Sequence, residues 1–68
     1  GQLEPALIEF RRAIELMPEF AGAHGNLGVT LQMQGDQAGA IAAFEEALRF
    51  APESAELQAR LDAARDGR

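Results

Sequence analysis

The sequence repeats itself at an offset of 34 residues. Laid against itself at that spacing, Gly1 falls on Gly35, Ala6 on Ala40, Phe10 on Phe44, Ala13 on Ala47 and Pro18 on Pro52. Leu7 meets Ile41 and Ile14 meets Leu48. Further along, Glu19 meets Glu53, Ala21 meets Ala55 and Leu27 meets Leu61. A period of this length marks a solenoid, in which each unit buries its apolar face only against its neighbours. The chain has 68 residues, so one domain spanning 1–68 is the ceiling. A chain this short buries only about 60% of its unfolded surface.

Within the unit the punctuation is that of two helices. Asp36 is a good N-cap, and Ala40, Ile41, Phe44, Ala47 and Leu48 follow it at helical spacing. Pro52 stops that helix, as Pro18 stops its equivalent. Gly35 ends the preceding helix and can take the left-handed conformation of a tight turn. Pro5 falls in a first turn, where its missing N–H does no harm, and Ser54 is the expected cap of the last helix. The spacing predicts helices near 3–16, 21–34, 37–50 and 54–65.

Composition agrees and excludes several functions. Alanine is abundant, aromatics are four phenylalanines, and β-branched residues are few, which favours helix over sheet. The net charge is -5 and all six basic residues are arginine. Nucleic acid, which needs a basic stripe to neutralise phosphates, is not an expected partner, nor is an anionic membrane. There is no cysteine, so thiolate metal sites and disulfides are out. No apolar run approaches the roughly 20 residues of a membrane span, and there is no signal-peptide pattern. A soluble protein is expected, with the cytoplasm favoured. The first residue is Gly1 rather than methionine, so the chain reads as a stretch of something longer.

The unit "AGAHGNLGVTLQMQGDQAGAIAAFEEALRFAPES" resembles a tetratricopeptide repeat. That family's pattern has an aromatic or apolar residue early in its first helix, then leucine-glycine and a further leucine. Its second helix carries alanine, an aromatic, a second alanine and a closing proline. Those places are held here by His24, Leu27, Gly28, Leu31, Ala40, Phe44, Ala47 and Pro52; only His24 departs from the usual large apolar choice. The resemblance implies an all-α fold of antiparallel helix-turn-helix repeats, a short right-handed α-solenoid. Residues 1–18 would be the second helix of a partial repeat, 21–54 a complete repeat, and 55–66 a capping helix. It also supplies a reason for Gly28: paired helices cross where a small residue faces an alanine, here Ala40. Helices with axes about 8–10 Å apart need small residues where they touch. Gly28 is expected to tolerate alanine and to fail with leucine.

The resemblance implies a protein–protein interaction scaffold, with the first-type helices lining a concave groove for a peptide or partner helix. Gly22, Gly25, Asn26, Val29, Gln32 and Met33 form that face of the 21–34 helix, and Arg60 stands where Asn26 has its equivalent. The subclass that clamps acidic C-terminal tails needs lysines there, and this chain has none. The run "AHGNLG" is similar to the repeats of O-linked N-acetylglucosamine transferases and their bacterial relatives, in which asparagines at this place bond the backbone of a bound peptide. Gly25 has no packing reason in this reading and leaves a bare position on the groove.

The remaining candidates read as structural. His24, the single histidine, lacks the partners a metal ligand or general base needs and reads as a packing residue. Glu15, Glu19, Glu45, Glu46, Glu53 and Glu56 are concentrated acids, but paired carboxylates do acid–base chemistry only in a desolvated cleft. They read as solvated faces, with Glu45–Arg49 and Glu56–Arg60 in the favourable i,i+4 order. No nucleophile–base constellation, phosphate loop or metal spacing is present, so no enzyme, cofactor or metal is expected. In the last helix Gly28 is answered by Asp62 and Leu31 by Arg65, the polar substitutions of a capping helix. The 3–16 helix is expected instead to expose Leu7, Ile8, Phe10 and Ile14. An apolar surface of that kind marks an interaction site, and homo-oligomers formed through it are the alternative function.

Overall fold

The computed structural model describes residues 2–67 and places four helices: α1 (Leu3–Leu16), α2 (Ala21–Met33), α3 (Gln37–Phe50) and α4 (Ala55–Arg65). These bounds meet the expected ones to within a residue, the scatter usual at helix ends. The architecture is all-α, each helix packing on its sequence neighbour, with the largest contact between α2 and α3.

The turns show why the elements begin and end where they do. The Asp36 carboxylate accepts the Gly39 N–H at 2.9 Å, and the Ser54 hydroxyl oxygen accepts the Leu57 N–H at 3.2 Å. Each satisfies one of the N–H groups that a helix start leaves without an internal partner. Gly35 has φ +84°, and around it the Asp36 N–H returns to the Leu31 carbonyl at 2.8 Å, a left-handed helix stop. At the proline-bounded ends, Met17 and Ala51 both have φ -139°, with ψ 83° and 68°. A following proline excludes the helical region for the residue before it, so the repeat is written into the backbone as well as the sequence.

The core joins Leu7 of α1, Leu31 of α2, Ala40, Ala43 and Phe44 of α3, and Leu61 and Ala64 of α4. Phe44 is its largest fully buried side chain. What faces Gly28 corrects one expectation. The atoms nearest a Cβ built at residue 28 are those of the Phe44 ring, at 2.6 to 2.9 Å, rather than those of Ala40. One turn along α3 from Ala40, the aromatic ring reaches back over the glycine. The room that glycine leaves is filled by a fully buried ring that would have to shift for a Cβ, so alanine there is not innocuous.

Leu7 also departs from expectation. It is 4% exposed and belongs to the core, while Phe10 and Ile14 are half-buried and Ile8 stays 61% exposed. Leu7 sits on the α1 face turned to α2, about 100° round the helix from the residue that follows it. The ion pairs differ too: Arg49 meets Glu46 at 2.9 Å, and Glu45 reaches across to Arg65 of α4 at 2.9 Å. Glu56–Arg60 forms as expected, at 3.2 Å. All are exposed pairs, each worth about 1 kcal/mol or less.

Candidate functional site

α2 and α4 occupy equivalent places in successive units, and a cleft of about 300 Å³ opens between their N-terminal halves. Ala21, Gly22, Gly25, Asn26 and Val29 of α2 form one wall. Glu56, Leu57 and Arg60 of α4 form the other, and Ala51 and Ser54 of the intervening turn close one end. The walls are mainly apolar, with Asn26 and the Glu56–Arg60 pair exposed at the mouth. Such a space suits one or two side chains of an extended segment, while the Asn26 amide can both donate and accept.

Five of the expected groove residues line this cleft: Gly22, Gly25, Asn26, Val29 and Arg60. Gln32 and Met33 lie outside it. Their equivalents across the repeat are Asp66 and Gly67, beyond the end of α4 at Arg65. Met33 is left 67% exposed. Glu56, read as part of a solvated outer face, stands instead on the rim. The signal that pointed to Arg60, its place opposite Asn26 in the repeat, also pairs Glu56 with Gly22 and was available for it. Leu57, Ala51 and Ser54 carried no comparable signal, because the packing of α4 on α2 brings Leu57 to the cleft and the path of the turn brings Ala51 and Ser54 there.

Gly25 is a further correction, because packing does account for it. It is buried, and a Cβ there would meet Leu57 Cδ2 at 3.0 Å. The absent side chain lets α4 lie close to α2 and gives the cleft its floor.

His24 is not among the residues lining the cleft and serves as a structural residue. It is 8% exposed, its Nε2 lies 2.8 Å from the Pro18 carbonyl oxygen, and its ring stacks on Phe50 at 5.8 Å between centroids. Donation to a carbonyl places a proton on Nε2. The Arg49 guanidinium lies over the other aromatic partner, 5.4 Å from the Phe50 centroid, a cation–π contact. Imidazole thus fills the place of a large apolar residue and also ties the α1–α2 turn to α2.

Among the described residues, no group of three or more His, Asp or Glu side chains could hold a metal ion, and no helix is long and apolar enough to cross a membrane.

The family model for the tetratricopeptide repeat matches residues 21–54, which is half of the chain. The chain belongs to the tetratricopeptide repeat family. Its matched segment runs from the first residue of α2 to the Ser54 cap of α4. The chain is also similar to tetratricopeptide repeat protein 36 of Bos taurus, 46% identical over 48 residues, covering 71% of this chain and 26% of that protein. The chain spans about a quarter of that relative's length. Tetratricopeptide repeats are in general protein-interaction modules on a non-catalytic scaffold, and the cleft lies on the first-type helices of this one.

Proposed function

We propose that the chain binds an extended peptide segment of a partner protein in the cleft between α2 and α4. The observation that carries this reading is the cleft itself, bounded by equivalent faces of two successive first-type helices. Val29 and Leu57 supply apolar walls for a side chain, and Asn26 at the mouth supplies a hydrogen-bonding amide for a peptide backbone. The latter is the role that the likeness of "AHGNLG" to O-linked N-acetylglucosamine transferase repeats implies. Arg60 is held by Glu56 at 3.2 Å, so the mouth carries no net charge from that pair. This favours a neutral segment over an acidic tail.

The test is selection of a peptide from a random display library on the 68-residue chain, followed by titration with amide chemical shifts recorded. Shifts centred on Gly22, Asn26, Val29 and Leu57, with affinity lost in Asn26→Ala and kept in Met33→Glu, support the reading. Shifts centred on the outer faces of α1 and α3 overturn it.

A further inference from the structure

The two glycines on the α2 wall of the cleft differ in what stands over them. A Cβ at Gly25 would meet Leu57 Cδ2 of α4 at 3.0 Å, so that part of the cleft is already filled. At Gly22 the three nearest atoms all belong to the Phe20 ring, at 3.0 to 3.6 Å, and none of them to α4. The cleft is therefore open at its Gly22 end, which Ala51 and Ser54 of the α3–α4 turn close off. Glu56, the repeat equivalent of Gly22, lines that end from α4.

The charge at this end is one-sided. Glu53 stands between Ala51 and Ser54 in the turn, and Glu19 stands next to Phe20. Both are exposed, and neither has an ion-pair partner among the described residues. The arginines on either side of Glu53 in the chain, Arg49 and Arg60, are engaged by Glu46 and Glu56. Two helices begin at this end and α3 finishes there. With about half a unit charge per helix end, the backbone contributes about +0.5. Two full carboxylates outweigh it.

We propose, on the basis of the peptide-binding role of the cleft, that the residue of the bound segment at the Gly22 end is an arginine. Bare Gly22 with Ala21 and Ala51 suits its aliphatic stem. The Phe20 ring beside Gly22 suits a planar guanidinium, and Glu53 and Glu19 supply the opposite charge. An acidic residue there meets two like charges, and an apolar one leaves both unanswered. The segment is thus neutral along the cleft and basic at one end.

Amide chemical shifts of the 68-residue chain, recorded during titration with three acetylated and amidated pentapeptides, test this. Each has alanines on both sides of a central arginine, citrulline or glutamate. The arginine peptide moves Gly22, Ser54 and Glu56. It binds about threefold tighter than its uncharged isostere, the scale of an exposed ion pair, and the glutamate peptide binds weakest. Glu53→Gln lowers the arginine peptide's affinity about threefold and leaves the citrulline peptide's unchanged. Glu9→Gln, the same charge change at an exposed position of α1, alters neither. Citrulline binding as tightly as arginine, with shifts still in the cleft, overturns the arginine assignment and leaves the peptide-binding role standing. Shifts outside the cleft, or none at millimolar peptide, overturn the assignment too, while the display-selected peptide decides the role of the cleft.

Discussion

Gly28 of α2 lies against the ring of Phe44 of α3, so that a Cβ at position 28 would stand 2.6 Å from the ring's Cε1. Phe44 is fully buried. The glycine costs α2 about 1 kcal/mol of helix propensity, and the ring fills the space it provides.

Gly28→Ala therefore sets two terms against each other. Propensity returns about 1 kcal/mol, while overpacking a filled core costs about 1–3 kcal/mol. The expected net is destabilisation by about 1 kcal/mol, measured as a lowered urea midpoint. Phe44→Leu in the Gly28→Ala background should recover part of that loss relative to Phe44→Leu alone. Gly28→Leu should not fold, shown by loss of the helical circular dichroism signal.

Gly25→Ala should behave differently, although both glycines are buried in one helix. The atom in its way is Leu57 Cδ2 at 3.0 Å, the end of a side chain that can turn by a few tenths of an ångström. Propensity then decides the sign, and thermal stability should hold or rise slightly. The added methyl narrows the cleft, so affinity for a selected peptide should fall while the melting temperature does not.

On α1, adjacent residues should separate core from surface. Leu7 is 4% exposed and Ile8 61%. Leu7→Ala is expected to cost about 2–4 kcal/mol, a large share of what so small a domain possesses. Ile8→Ala should stay within about 0.5 kcal/mol. Equal effects in chemical denaturation would contradict the orientation of α1.

The Asp36 cap should be worth a helix terminus. Asp36→Ala removes the acceptor for the Gly39 N–H and is expected to cost about 1 kcal/mol, with Asp36→Asn retaining most of it. Denaturation midpoints of the two variants check this.

Helix positions, caps and turns were legible in the sequence because each is set by residues within a few places of one another. Proline excludes the helical region for its predecessor, Asp36 and Ser54 cap the helices that follow, and Gly35 takes a positive φ. The 34-residue recurrence then specified the repeat. Four of the residues lining the cleft, Gly22, Gly25, Asn26 and Val29, were legible for the same reason, as one stripe on α2, and Arg60 was legible from its place in the repeat.

The sequence by itself thus determined four helices, their order and the family's pattern, through short-range backbone preference and apolar period. Tertiary structure alone decided what lies across from what. The atoms nearest a Cβ at Gly28 belong to Phe44, Leu57 comes to rest on Gly25, Leu7 turns inward, and Glu56, Leu57 and Arg60 of α4 form the wall across from Gly25 and Asn26. The physical reason is that helix rotation, crossing angle and length of overlap depend on every side chain in the contact at once. A glycine therefore announces in the sequence that something comes close, while the packed fold determines which residue it is.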